Sequence, residues 1–140
     1  MKPGKNTDLP LLVDASVWVA AVTPSEHFHT EASAVIDSSP RVGALDLTLY
    51  EVAHVLGAKK GERRRAERLC DGIVLRCGED LIRVDPTLMD MAVAIAQEHG
   101  LTAYDAAYVA AARRKGWTLV STDIQDLVSK GLAVAPDAAV

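Results

Sequence analysis

Four carboxylates are the residues whose type and position point to chemistry: Asp14, Glu51, Asp105 and Asp123. Asp14 and Asp123 each end an apolar run, whereas Glu51 and Asp105 fall in the first turns of helices that are otherwise apolar. Acids in such places must be solvated, paired or neutralised, because burying a lone charge is costly. No segment between them supplies an obvious matching lysine or arginine. We therefore expect all four acids to share a divalent cation, which would make the protein a metal-dependent enzyme.

Alternating strands and helices are predicted to carry these acids. Strands are predicted at residues 9–15, 41–45, 81–84, 117–121 and 132–135. Helices are predicted at residues 16–22, 26–37, 48–60, 62–77, 86–100 and 103–115 and in a short stretch ending at Ser129, with Ser16, Thr48 and Thr102 as caps. The alternation predicts one α/β domain over residues 1–140, with a mostly parallel sheet covered on both faces. The ends, residues 1–8 and 136–140, are expected to be mobile.

The predicted sheet explains why the acids should meet. Ligands of open parallel sheets bind beyond the carboxyl ends of the strands, and Asp14 and Asp123 fall there directly. Glu51 lies a few residues past the second strand, and only a helix start argues for Asp105. Each acid also has a simpler explanation as a cap, a first-turn acid, a turn residue or an exposed helix residue. The helix around Asp105 is apolar on every side, however, which places that acid in a packed layer.

The composition limits where the protein works. The chain has a net charge of −4, and no apolar run approaches the ~20 residues that span a membrane. The polar N-terminus has no apolar signal core, so we expect a cytoplasmic protein. Cys70 and Cys77 are about two helical turns apart, too far to form a disulfide, and are predicted to be reduced thiols.

Basic residues crowd two windows, residues 59–68 and 113–115, despite the acidic net charge. We name four of them as candidate phosphate contacts: Arg63, Arg64, Arg65 and Arg113. The alternative is that the first window is the solvated face of a helix and that the second complements a helix dipole.

Four segments resemble those of one known family. They are Val13-Asp14-Ala15-Ser16-Val17-Trp18, Tyr50-Glu51-Val52-Ala53-His54-Val55-Leu56, Leu101-Thr102-Ala103-Tyr104-Asp105-Ala106-Ala107-Tyr108 and Val120-Ser121-Thr122-Asp123. In order, spacing and total length, the chain resembles a PIN domain, and within that family the small VapC-type toxins of bacterial toxin–antitoxin pairs. The resemblance covers nearly the whole chain. Ser121 stands where the family commonly has threonine, which is a mild departure.

The resemblance implies a PIN-like three-layer α/β/α sandwich and a magnesium- or manganese-dependent endoribonuclease. It implies that Asp14, Glu51, Asp105 and Asp123 are the catalytic acids, with Asp14, Asp105 and Asp123 as metal ligands and Ser16 assisting. It further implies an RNA substrate, a cognate antitoxin and a homodimer. A metal-activated water attacking in line would leave 5′-phosphate and 3′-hydroxyl ends without a covalent intermediate.

Other functions compete with this interpretation. Within the family, the chain could be a nuclease of RNA maturation without an antitoxin, or a protein that only binds RNA. A receiver domain is disfavoured, because its paired acids, phosphorylatable aspartate and lysine are not in place. A haloacid-dehalogenase-type phosphatase is disfavoured because it would need a second aspartate where Ser16 stands.

Overall fold

The sheet that positions the acids has four parallel strands. The computed structural model describes residues 9–139. Its strands are β1 (Leu11–Val13), β2 (Val42–Leu45), β3 (Leu81–Ile82) and β4 (Thr118–Val120). They lie in the order β3-β2-β1-β4, so β1 has a neighbour on each side. In the register of the sheet, Val13 is paired with Val120, and these two residues directly precede the carboxyl-edge segments that carry Asp14 and Asp123.

Seven α-helices surround the sheet in residues 9–139. They are α1 (Ala15–Ala21), α2 (His29–Ser38), α3 (Leu47–Val52), α4 (Arg63–Cys77), α5 (Pro86–His99), α6 (Ala103–Lys115) and α7 (Pro136–Ala139). A π-helical segment, Ala53–Lys59, continues α3, and a second, Ile124–Val128, follows Asp123. A short 3-10 turn, Gly78–Asp80, precedes β3. Both π-helical segments directly follow a stretch that contains a predicted catalytic acid, and π-helical turns are frequent at functional sites.

The two faces of the sheet bury separate cores. Val13 points into one core, which α1 to α4 cover, and its neighbour Leu12 points into the other, which α5 and α6 cover. Val120 and Leu119 on β4 divide in the same way, as the alternation of side chains along a strand requires. The predicted three-layer α/β/α sandwich with a parallel sheet is therefore confirmed.

Three local predictions were wrong. The stretch 132–135 forms no strand: only Val134 bridges β4, because Pro136 has no N–H to extend the pairing and instead begins α7. Asp14, not Ser16, caps α1, accepting a hydrogen bond from Val17 N at 3.3 Å. Thr48 lies inside α3, fully buried, rather than at its cap.

The predicted mobile ends are only partly within the described residues. Residues 136–139 form α7, which packs against α2. Residues 1–8 lie outside the part of the chain that the structure describes. Among residues 9–139, none of the helices has the length and apolar character that crossing a bilayer would need.

Candidate active site

Asp14 and Asp123 follow two adjacent parallel strands: Asp14 comes directly after β1, level with Ser121, and Asp123 lies two residues beyond Ser121. Ser16 links their two segments: its hydroxyl donates to Asp14 Oδ1 and accepts from Thr122 N at 3.1 Å. Asp123 caps the second π-helical segment, accepting from Asp126 N at 2.9 Å. The Asp123 N–H donates to Ser121 Oγ at 3.0 Å. Ser16 thus orients Asp14 and joins two strand ends, which gives the predicted assisting residue a definite structural place.

Glu51 and Asp105 approach the same place from helices. Glu51 lies in the last turn of α3, just before the helix becomes π-helical. Asp105 lies in the first turn of α6, where Thr102 caps the helix by accepting from Asp105 N at 3.1 Å. The cap predicted at Thr102 is therefore confirmed.

The pKa shifts show that the four acids form one cluster. Burial raises the pKa of Asp14 to about 6; hydrogen bonds from Ser121, Ser16 and Val17 lower it, and the charge of Glu51 raises it. Burial also raises the pKa of Glu51, and the charge of Asp105 adds to that effect. For Asp105, burial comes first and the charges of Asp123 and Asp126 follow. The charge of Glu51 thus acts on Asp14, that of Asp105 on Glu51 and that of Asp123 on Asp105, as expected for carboxylates that share a site.

Within residues 9–139, no ion pair with lysine, arginine or histidine neutralises this cluster. The ion pairs formed among residues 9–139 involve other acids: Asp80, Glu67, Glu62, Glu98 and Asp85. A negative cluster at the carboxyl edge of the sheet would repel the phosphodiester of a nucleic acid. A cation placed between them would remove that repulsion and the mutual repulsion of the acids.

The donor chemistry of the cluster fits a hard divalent cation. All its donors are carboxylate or hydroxyl oxygens, which magnesium and manganese prefer. In the described part of the chain, no three His, Cys, Asp or Glu side chains stand close enough together, as placed, to hold an ion. Binding would therefore require the carboxylates to rotate towards one another. Asp14, Asp105 and Asp123, the predicted ligands, come from the end of β1, the first turn of α6 and the segment after β4.

Sequence reasoning missed two residues of the site, Tyr108 and Thr48. The Tyr108 hydroxyl donates to Glu51 Oε1 at 2.6 Å and lies 2.7 Å from Thr48 Oγ1. Burial, followed by the charge of Glu51, raises the pKa of Tyr108 well above its ordinary value, so the phenol stays protonated. Helical spacing could have revealed both residues, because Tyr108 follows Asp105 by three positions and Thr48 precedes Glu51 by three.

The four arginines predicted to contact phosphate differ in exposure and in the contacts that they make within the fold. Arg65 is engaged within the fold: it bonds to Glu62 at 3.0 Å, to Thr23 Oγ1 at 2.9 Å and to Val22 O. Arg63 pairs with Glu67 at 3.3 Å on the surface, and Arg64 is exposed. Arg113 is exposed eight residues after Asp105 on α6, about 12 Å further along the helix axis. Arg63, Arg64 and Arg113 therefore remain phosphate candidates, whereas the contacts of Arg65 lie within the fold.

Comparison with known proteins agrees with this geometry. The PIN domain family model matches residues 11–127. Ribonuclease VapC3 of Pyrobaculum aerophilum is 32% identical over 121 residues, which cover 84% of this chain and 92% of that protein.

Two solved structures share the fold. One is Mycobacterium tuberculosis VapC20, a sarcin-ricin loop cleaving toxin: the TM-score is 0.70 at 20% identity, covering 86% of this chain and 95% of that one. The other is a toxin–antitoxin complex from Klebsiella pneumoniae: the TM-score is 0.67 at 20% identity, covering 90% and 97%. With the family model and the VapC3 match, these likenesses place the chain: it belongs to the PIN-domain family, and to its VapC-type members.

Proposed function

We propose that this protein is a divalent-metal-dependent endoribonuclease that acts as the toxin of a toxin–antitoxin pair. The observation that carries the proposal is the cluster of four acids at the carboxyl edge of the sheet: the pKa values of Asp14, Glu51 and Asp105 are raised, and no ion pair within residues 9–139 balances the cluster. The 32% identity to a ribonuclease of the VapC type supports RNA as the substrate. The free thiols Cys70 and Cys77 suit the reducing cytoplasm, where we expect it to act.

This proposal assigns a separate role to each residue of the site. Asp14, Asp105 and Asp123 would be the ligands of Mg²⁺ or Mn²⁺, and Glu51 would complete the acidic set around the cation from the α3 side. When bound, such an ion neutralises charge developing on a phosphodiester and lowers the pKa of a water molecule. Ser16 keeps one Asp14 oxygen in place, because its hydroxyl donates to Oδ1 and is itself fixed by Thr122 N. The expected products carry 5′-phosphate and 3′-hydroxyl ends.

Cleavage of total bacterial RNA by the purified protein tests this proposal. We expect cutting with Mg²⁺ or Mn²⁺ and none with EDTA. Asp14→Asn should lower the rate by about 10²-fold or more, the scale at which single catalytic groups act. Asp37→Asn is the matched control, because it removes the same charge from an exposed position on α2.

Each other outcome of that assay has a defined meaning. Discrete fragments would support a selective toxin, and general degradation a nuclease of RNA maturation. Binding of RNA without cleavage under any metal would support a protein that only binds RNA. Products with 2′,3′-cyclic phosphate ends would contradict the proposed attack by water.

An antitoxin is the partner that the acidic cluster would suit. The structural likeness to a toxin–antitoxin complex supports such a partner. A basic, extended segment would complement the negative charge at the carboxyl edge and would exclude both the cation and RNA from it. Co-expression with the product of an adjacent reading frame should abolish cleavage, whereas cleavage that persists would favour a nuclease without an antitoxin.

A second copy of the chain is the other partner that we propose. An apolar cavity of about 580 Å³ opens between α3, α5 and α6. Three large side chains around it are mostly exposed: Tyr50 at 82%, Tyr104 at 61% and Met89 at 58%. Exposed apolar surface of this kind marks protein interfaces more often than nucleic-acid sites. Because Tyr50 and Tyr104 directly precede Glu51 and Asp105, pairing through this face would bring two acidic clusters close together.

A further inference from the structure

A chain of hydroxyl groups runs beneath the acidic cluster. Tyr108 donates its one hydroxyl proton to Glu51 Oε1 at 2.6 Å. The contact of 2.7 Å between Tyr108 and Thr48 must therefore use the Thr48 proton, so that Thr48 donates to Tyr108 and Tyr108 donates to Glu51. Both hydroxyl-bearing residues are buried, with exposures of 1% and 0%.

This chain of hydroxyls joins the two helices that supply Glu51 and Asp105. Thr48 precedes Glu51 by three residues on α3, so the two side chains share one face of that helix. Tyr108 follows Asp105 by three residues on α6, and these two share a face in the same way. The phenol therefore reaches Glu51 from within the core, behind the site.

A purely structural role would not require the carboxylate. Thr48 and Tyr108 could satisfy each other, and the partly exposed Glu51 could turn into solvent, where it would avoid the cost of burial. Instead Glu51 lies within reach of the charges of Asp14 and Asp105 and accepts the phenol proton through Oε1 alone. Among residues 9–139, its second oxygen, Oε2, accepts no hydrogen bond and so remains available.

We infer that Tyr108, oriented by Thr48, is the positioning residue that holds the Glu51 carboxylate beside Asp14 and Asp105 for binding of a divalent cation. The inference rests on the proposed function, because the cation is the one proposed there. Partners that orient metal-site carboxylates commonly contribute between tenfold and 100-fold to metal affinity or activity.

Binding of Mn²⁺ to the RNA-free protein, followed by the electron paramagnetic resonance of free Mn²⁺, tests the inference in a double-mutant cycle. Tyr108→Phe keeps the ring and removes only the hydroxyl. We expect it to weaken Mn²⁺ binding about tenfold in the wild-type background and to have no further effect in the Glu51→Ala background. In cleavage assays it should lower kcat with little change in KM for RNA.

Three further variants separate positioning from stability. Thr48→Val should weaken Mn²⁺ binding in the same direction as Tyr108→Phe but by less, and Thr48→Ser should restore it. Ser33→Ala is the matched control, because it removes a hydroxyl on α2 that donates at 3.1 Å to Ala21 O, at the end of α1 opposite to Asp14. It should lower thermal stability and leave Mn²⁺ binding and kcat unchanged. If Tyr108→Phe does not fold, the Thr48 pair carries the test.

The outcomes distinguish this inference from the proposed function. An equal loss of Mn²⁺ affinity in both backgrounds, or no loss in either, would overturn the positioning role even if the wild-type protein cleaves RNA. A coupled loss in a protein that cleaves no RNA would uphold positioning and overturn the proposed nuclease. A wild-type protein that binds no Mn²⁺ would overturn the positioning role together with the proposed metal dependence.

Discussion

At the scale of single residues, burial has a large effect on the pKa of Asp14. Asp14 is 6% exposed, and burial raises its pKa from 3.8 to about 6. Hydrogen bonds from Ser121, Ser16 and Val17 lower this pKa but do not offset the effect of burial. A carboxylate in this position is costly to ionise until a cation approaches. A cation bound at the end of β1 would therefore be stabilised by the Asp14 carboxylate, as a metal-dependent enzyme requires.

The raised pKa predicts a pH dependence of stability. Between pH ~4 and ~6 the folded protein binds more protons at Asp14 than the unfolded chain does, so the free energy of unfolding should fall as pH rises. Above pH ~6 the contribution of Asp14 to the free energy of unfolding no longer changes with pH. The total decrease in that free energy is about 3 kcal/mol. Asp14→Asn should therefore raise the free energy of unfolding by about 1–3 kcal/mol at pH 7 without metal.

Urea unfolding in EDTA from pH 4 to pH 8 measures this effect as the difference between the two proteins. The raised pKa of Asp105 does not depend on Asp14, so its contribution cancels in the difference, whereas the coupling between Glu51 and Asp14 is part of the measured effect. Mg²⁺ should stabilise the wild-type protein and not the variant. A difference in unfolding free energy that does not change between pH 4 and pH 6 would contradict the assigned pKa.

At the scale of elements, β2 depends on a close approach to Trp117. A Cβ atom at Gly43 would lie 2.6 Å from the Trp117 ring and 3.0 Å from the Asp80 carbonyl oxygen. The position follows from packing across the sheet, since Trp117 precedes β4 and Asp80 precedes β3. Only a residue without a side chain fits between them.

Substitution of two glycines tests that constraint. Gly43→Ala should lower the free energy of unfolding by about 1–3 kcal/mol, because the rigid ring must shift. Gly72→Ala is the matched control: Gly72 lies within α4 with open space around it, so alanine should stabilise the helix by about 0.5–1 kcal/mol. Urea denaturation reports both values, and a neutral Gly43→Ala would show that Trp117 has room to move.

Two neighbouring arginines at the start of α4 have different environments: Arg65 makes contacts within the fold, and Arg64 is exposed on the surface. Arg65→Ala should lower the free energy of unfolding by about 1–2 kcal/mol, because its bonds to the end of α1 are lost. Arg64→Ala should leave stability within ~0.5 kcal/mol and reduce the salt slope of RNA binding by about one.

Urea unfolding and salt titrations of RNA binding, in a cleavage-deficient background, measure the two effects. An unchanged salt slope for Arg64→Ala would remove Arg64 from the phosphate candidates. A large slope change for Arg65→Ala would mean that its contacts to Val22 and Thr23 open when RNA binds.

At the scale of the whole molecule, two surfaces of opposite character adjoin each other. The acidic cluster needs a cation or a basic partner, whereas the neighbouring cavity between α3, α5 and α6 is apolar. Tyr50 adjoins Glu51 and Tyr104 adjoins Asp105 along the chain, so a partner bound at the apolar cavity would also lie close to the acids. Pairing of two copies would therefore also shape the path by which RNA reaches the acids.

Sedimentation of the wild-type protein and two lysine variants tests this pairing. The wild-type protein should be a dimer at micromolar concentration, and Tyr104→Lys should be a monomer, because the lysine would be buried without a partner charge. Leu75→Lys is the control, since Leu75 is 86% exposed on α4, away from the cavity. A monomeric wild-type protein would contradict the proposed dimer.

Much of the architecture followed from local patterns. The apolar runs located the strands, the cap Thr102 located the start of α6, and Pro86 located the start of α5 as its first residue. Such features depend on residues three or four positions apart, which a sequence displays directly. The prediction of a fifth strand was wrong because the segment forms a single bridge, between Val134 and Val120, which Pro136 prevents from extending.

The sequence by itself determined the type of fold and identified the four acids as candidates, because each acid interrupts or flanks an apolar pattern that can be read along the chain. Only the tertiary structure decided how deeply Asp14 is buried, which arginine is engaged and what holds Glu51. The bond between Tyr108 and Glu51 joins residues 57 positions apart, and Ser16 meets Thr122 across 106 positions. Contacts of that kind arise from the order of strands and the packing of helices, and no local pattern encodes them.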